Sequence, residues 1–266
     1  MRGADGSVTI LKNRPGDITS LGNNSVESIY RDSDGGLWIA TMKNGVSVYY
    51  PNEYKFSHYD VGDINCMASA GKGTVYAGTD HGELIAIDTD SHSWHNIPVP
   101  AEYGDRAITD LGITPDGAVW IGTYKGGMYS YRNGRFTRYA EQNGLNSPNI
   151  WAVIPMADGT VWIGTLGSGI QKFDPASGKF TDYNASNSGL KSNYINTMTL
   201  GRDGRIYIGT TEGVSVLEPS TGSIAAVEGY SKQVKRPGAR NVNQLMYDSR
   251  GLLWIATREG LYVYDP

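Results

Sequence analysis

The chain has 266 residues and a formal net charge of −4, from 23 lysines and arginines against 27 aspartates and glutamates. A negative balance offers nucleic acid or anionic lipid no electrostatic attraction, and a chain this long buries about three-quarters of its unfolded surface, so its core needs no staples. The 35 glycines and 18 tyrosines beside only 4 phenylalanines describe short aromatic strands and tight turns, with no long segment of helical period.

In chain order, VTILK (8–12) reads as a third strand and DITSL (17–21) as an outer strand, out of register with the blades that come after them. From residue 26 a four-part grammar recurs. First strands are VESIYRD (26–32), INCMASA (64–70), ITDLGIT (108–114), IWAVIPM (150–156), INTMTLG (195–201) and VNQLMYD (242–248). Each leads through a Gly-containing turn, such as Asp158-Gly159, in which Asp bonds its own backbone and Gly accepts positive φ. The second strands come next: LWIAT (37–41), VYAGT (75–79), VWIGT (119–123), VWIGT (161–165), IYIGT (206–210) and LWIAT (253–257). They are apolar on both faces, as a strand sandwiched between neighbours requires. Third strands are VSVYYP, ELIAID, MYSYRN, IQKFDP, VSVLEP and LYVYDP, and outer strands are FSHY, SWHNIPV, RFTRY, KFTDY and SIAAVEGY.

The aromatic of the second strand falls at Trp38, Tyr76, Trp120, Trp162, Tyr207 and Trp254, in steps of 38, 44, 42, 45 and 47 residues. A period in the low forties made only of strand and turn holds one four-stranded antiparallel sheet, which buries both faces by packing between copies of itself. The expected fold is therefore all-β, a β-propeller with six full repeats visible, either six-bladed or an excerpt of a seven-bladed ring. The chain reads as one propeller domain over 1–266, with blades near 22–60, 61–99, 105–140, 146–184, 192–230 and 240–266, the last completed by 8–21.

The phrase Asp-x-x-Gly-x-Leu-Trp-Ile-Gly-Thr, present as DSDGGLWIAT, TPDGAVWIGT, MADGTVWIGT and DSRGLLWIAT with looser copies at 70–79 and 201–210, resembles the two-component regulator propeller repeat. The stretch LGNNSVESIYRDSDGGLWIATMKNGVSVYYP is similar to the sensor portions of hybrid two-component systems from gut Bacteroidetes. The resemblance covers nearly the whole chain. It implies a periplasmic, non-catalytic sensor domain, one of several in tandem, ahead of a β-sandwich, a membrane helix and a histidine kinase. The segment itself carries no signal peptide and no spanning run, so no direct membrane insertion is expected of it.

A residue that recurs once per blade in an apolar strand packs between sheets, so the six aromatic positions read as core. The turn aspartates lack the alternating oxygens of a calcium site, and His92 and His95 fall on opposite faces of an extended strand, so neither metal nor cofactor is expected. Cys66 reads as a buried inert thiol. Some propeller lyases use a histidine and an acid in loops such as Asp80-His81-Glu83, a reading that requires an acid or second base within reach of His81.

Topology points to binding instead. Loops entering the first strands and loops between second and third strands gather on one face of a propeller. Arg106, Lys125, Trp151, Tyr194, Arg240 and Arg258 break the repeat there and form the expected ligand-binding set. Amide, guanidinium and aromatic groups suit a polyhydroxylated or anionic ligand such as an oligosaccharide. The alternative is an interaction scaffold that contacts an adjacent sensor domain or a second copy in a homodimer.

Overall fold

The computed structural model describes residues 12–17, 20–31, 37–41, 46–49, 61–91, 93–104, 106–234, 237–248 and 250–266. The chain divides into two compact units, Met1–Asp60 and Val61–Pro266. The first holds one antiparallel sheet of β1 (Val26–Arg31), β2 (Leu37–Thr41) and β3 (Val46–Tyr49), in that order. The expected strands at 8–12 and 56–59 fall almost wholly outside the described residues. Within 17–21, Asp17, Ser20 and Leu21 are not in a strand: the Ser20 hydroxyl donates to the Asp17 carbonyl at 2.7 Å, closing a local turn.

The second unit is five successive antiparallel sheets, each a meander. The first contains β4 (Ile64–Gly71), β5 (Thr74–Thr79), β6 (Leu84–Asp88) and β7 (Ser93–Ile97). The second contains β8 (Ile108–Ile113), β9 (Val119–Thr123), β10 (Gly127–Arg132) and β11 (Arg135–Tyr139). The third contains β12 (Ile150–Pro155), β13 (Val161–Thr165), β14 (Gly169–Asp174) and β15 (Lys179–Tyr183). The fourth contains β16 (Ile195–Leu200), β17 (Ile206–Thr210), β18 (Gly213–Glu218) and β19 (Ser223–Ala226). The fifth has three strands, β20 (Val242–Tyr247), β21 (Leu253–Thr257) and β22 (Gly260–Tyr264). Strands pair within repeats, as propeller blades do.

One expected outer strand is shortened. SIAAVEGY is a strand only to Ala226, and the chain then coils into α1 (Glu228–Gln233) and α2 (Pro237–Arg240). Val227, Tyr230 and Val234, spaced for one helical face, bury with Val242, Leu245 and Leu253 of the fifth blade.

The core lies in four clusters, one at each seam between adjacent blades. Leu84, Ala86 and Ile97 meet Ile108, Val119 and Ile121. Trp120 and Met128 meet Ile150, Val153 and Phe173. Trp162 and Ile170 meet Ile195, Met198 and Ile206. Tyr207 and Val214 meet Val242, Leu245 and Ile255. Trp120, Trp162 and Tyr207 are 5%, 0% and 1% exposed, so in these three blades the repeated aromatic is core, as expected, whereas Tyr76 and Trp254 are half-buried and the side chain of Trp38 lies outside the described residues.

The other repeated residues have equally local reasons. In four blades of the second unit the threonine ending the second strand turns its hydroxyl back to close the hairpin: Thr123 donates to the Gly127 carbonyl at 2.7 Å, Thr165 to Gly169 at 2.8 Å, Thr210 to Gly213 at 3.0 Å and Thr257 to Gly260 at 2.9 Å. The glycine before it is a notch for the next blade. A Cβ on Gly122 would stand 2.7 Å from Ile150 Cγ2, on Gly164 2.7 Å from Ile195 Cγ2, and on Gly209 2.6 Å from Val242 Cγ1. Gly78 faces Ile108 in the same way. The fifth blade of the unit, which has no successor within it, carries Ala256 at this place.

Polar bonds also cross the seams. The Asp110 carboxylate accepts the Val153 N–H at 2.8 Å, and burial pushes its pKa from 3.8 up to about 7 against the opposing effect of the Val153 and Leu111 amides.

Gly164→Ala should cost about 1–3 kcal/mol in urea unfolding, because its Cβ overpacks against Ile195, whereas Ala256→Gly should cost less than about 1 kcal/mol and Trp162→Ala about 3–5 kcal/mol. A Gly164→Ala chain as stable as the parent would show that the notch is not what spaces the blades. For Asp110, the folded pKa of about 7 exceeds the unfolded 3.8, so the protonated carboxyl is the one the fold prefers. Its contribution is fully present below pH 4, declines as the pH rises toward 7 and is level above that. Melting curves should therefore show the parent losing stability relative to Asp110→Asn between pH 4 and 7, and a constant difference across that range would contradict this placement.

Candidate functional site

In the second unit the first strands of successive blades run beside one another, and each carries a bulge at the same place. The register slips between Ile64 and Cys66, Ile108 and Asp110, Ile150 and Ala152, Ile195 and Thr197, and Val242 and Gln244. The extra residues are Asn65, Thr109, Trp151, Asn196 and Asn243. A bulge re-aims its side chain out of the ladder, and here three of the five reach the next blade. Asn65 Nδ2 donates to the Ile108 carbonyl at 3.1 Å, Thr109 Oγ1 to Ile150 at 2.7 Å and Asn196 Nδ2 to Val242 at 2.8 Å. Trp151 occupies the equivalent place with an indole where its neighbours have an amide or hydroxyl.

The bulged strands enclose a cavity of about 780 Å³. Its wall takes Asn65, Cys66 and Met67 from β4, Thr109 and Asp110 from β8, Trp151 and Ala152 from β12, Asn196 to Met198 from β16, and Asn243 and Gln244 from β20, with Asp80 and Tyr124 from the turns above. The Tyr124 ring, 38% exposed, meets Trp151 edge-on with centroids 6.0 Å apart and planes at 87°. Asp80 accepts the Asn65 amide at 3.2 Å. Cys66 is only partly buried, but desolvation and the neighbouring Asp110 push its thiol up to about 12, so it stays protonated.

Entering loops and second-to-third-strand turns do share one face, tied by backbone bonds. Asp80 N–H donates to the Asp63 carbonyl, Tyr124 to Ala107, Leu166 to Asn149 and Arg258 to Asn241, at 3.1, 2.9, 3.0 and 3.3 Å. Of the six expected ligand residues, Trp151 lines the cavity. Lys125, in the β9–β10 turn at φ 62°, stands at its edge with Nζ 4.8 Å from the Tyr124 centroid. The other four lie apart. Arg106 is exposed ahead of β8 beside Gly126, and Tyr194, 53% exposed, bridges Leu166 ahead of β16. Arg258 is exposed in the β21–β22 turn. Arg240 ends α2 and, with Lys191, Glu212 and Tyr230, lines a separate hollow of about 410 Å³.

Reading loops for departures from the repeat missed Thr109, Asp110, Asn196 and Gln244. The available signal was the second and third positions of the first strands, where polar groups alternate into an otherwise apolar segment. His81 is exposed and, with Glu83, borders a small hollow of about 170 Å³, where the Glu83 carboxylate accepts the Asn96 amide at 3.3 Å. Among the described residues no group of three or more His, Cys, Asp or Glu side chains could hold a metal, and no helix is long and apolar enough to cross a membrane.

No curated protein matches the chain in sequence. Among solved structures, it superposes on the extracellular domain of a hybrid two component system from B. thetaiotaomicron with a TM-score of 0.63 and 20% identity, over 97% of this chain and 37% of that one. A second extracellular domain of this kind from the same organism gives 0.58 and 18%, over 95% and 41%. Virginiamycin B lyase from Staphylococcus aureus gives 0.58 and 15%, over 96% and 83%. The chain thus spans about two-fifths of those two extracellular domains' length. At these identities the likeness is one of fold, the β-propeller. The family model of the two-component regulator propeller matches residues 20–43 and 189–212, so the chain is a β-propeller that carries the two-component regulator propeller repeat.

Proposed function

We propose that this chain is a non-catalytic ligand-binding propeller, part of the extracytoplasmic, periplasmic sensor of a two-component system, and that its inner cavity takes an oligosaccharide. The observation that carries the reading is the wall of the 780 Å³ cavity, where bulges on successive inner strands present amides and a hydroxyl around one aromatic pair. A volume of this order suits a small ligand. Amides and hydroxyls donate and accept, as sugar hydroxyls require, and Trp151 with Tyr124 offers an apolar surface for a pyranose face. The sensor role is supported by the repeat and by the fold shared with the two ectodomains.

A second reading, a scaffold for an adjacent domain or a second copy, is favoured by β22, the last strand of its sheet, where Leu261 and Val263 are 62% and 50% exposed.

The test is a thermal-shift screen of the chain against oligosaccharides from many polysaccharides, since a ligand that binds only the folded state raises the melting temperature. Trp151→Ala should abolish the shift or weaken affinity at least about tenfold, equivalent to 1.4 kcal/mol, while the ligand-free melting temperature falls only slightly. Undiminished affinity in Trp151→Ala would place the site elsewhere. Tight binding to Lys191→Ala/Arg240→Ala and to Arg106→Ala is expected, since none of these residues lines the cavity.

A further inference from the structure

The charge on the cavity wall is of one sign. Asp80 and Asp110 line it, and the other lining groups among the described residues are amides, hydroxyls, a thiol, thioethers, aliphatic groups and the Trp151 and Tyr124 rings, with no lysine, arginine or histidine. The basic residues of the face lie off this wall: Arg240 borders the other hollow, and Lys125 stands over the Tyr124 ring. The titratable groups that face Asp110 across the cavity are Asp80, Cys66 on β4 and Tyr124, and the lining residues of β12, β16 and β20 contribute none.

An anionic ligand would enter against the exposed Asp80 carboxylate and would favour the neutral form of the buried Asp110, with no cationic partner on the wall to offset either cost. A cation would gain on two counts. It would pair with the Asp110 carboxylate, which one backbone amide at 2.8 Å already orients, and it would lie near the Trp151 ring, whose quadrupole attracts cations, the adjoining Tyr124 ring already carrying the Lys125 ammonium at 4.8 Å. We infer that the inner cavity selects a ligand bearing a protonated amine, an amino sugar within an oligosaccharide, with Asp110 pairing the ammonium and Trp151 flanking it. This inference rests on the cavity being the ligand site and adds the class of ligand. It also narrows the polyhydroxylated-or-anionic expectation of the sequence to its cationic opposite. The direction in which burial moves Asp110 agrees: an arriving ammonium stabilises the carboxylate and should displace a proton from it.

The experiment is isothermal titration at about pH 6, where aliphatic amines are charged. Three trisaccharides of one length serve as probes: glucosamine units, their N-acetylated counterpart and a glucuronate-containing counterpart. The glucosamine form should bind at least about tenfold tighter than the N-acetylated form, weaken as salt is raised, and release protons on binding, seen as a dependence of the heat on buffer ionisation. Asp110→Asn should erase that preference.

Equal affinity for amine and N-acetyl forms would overturn the inference while leaving the oligosaccharide reading intact, and preference for the glucuronate form would do the same. If no sugar binds but choline does so through Asp110, the charge class stands and the oligosaccharide reading falls. If neither binds, both fall. Should Asp110→Asn not fold, the salt dependence and proton release of the parent chain carry the same decision.

Discussion

A glycine that leaves room for the neighbouring blade is the contact on which the second unit depends. In each of its first four blades the second strand lacks a side chain at Gly78, Gly122, Gly164 or Gly209, and a β-branched residue of the next inner strand, Ile108, Ile150, Ile195 or Val242, fills the space. That fit brings adjacent sheets close enough for the aromatic two residues before it, Trp120, Trp162 or Tyr207, to be enclosed in the same seam. Interiors this dense tolerate neither an extra methyl nor a lost ring. The repeat is therefore a packing rule written once per blade.

Because that rule occupies both faces of the second strands, little of them is free for chemistry. The inner strands differ. Their first residue serves the seam, but the bulge beyond it turns the next side chain out of the ladder. Where that residue is Asn65, Thr109 or Asn196, one donor of its side chain holds the following blade while the residue still lines the cavity. Trp151 is exempt from that duty, and its indole instead meets Tyr124 over the cavity. The aromatic pair of the cavity thus sits where a position is structurally relieved.

The blade grammar was legible because packing imposes it residue by residue. The second strands fall where the LWIAT and VWIGT phrases put them. The helix after Ala226 was hidden because SIAAVEGY alternates like a strand, and only the burial of Val227, Tyr230 and Val234 against the last blade decides for a helix. Of the site, Trp151 stood out as a break in the repeat. Thr109 and Asn196 did not, because a polar residue early in a strand looks like ordinary alternation until the bulge is seen. Arg240 stood out for its charge, yet the turn of α2 carries it to a different hollow. Loop charges announce themselves in a sequence, whereas which wall they face is settled by tertiary geometry.

Seams build the fold, and bulged inner strands line the cavity proposed as the site. Hydrogen–deuterium exchange tests that division most directly, measured with and without the oligosaccharide that most raises the melting temperature. Ligand should slow exchange in peptides covering 64–67, 107–110, 150–152, 196–198 and 243–244, and leave the outer strands β7, β11, β15 and β19 as they were. Protection confined to those outer strands, or to the hollow around Arg240, would contradict it.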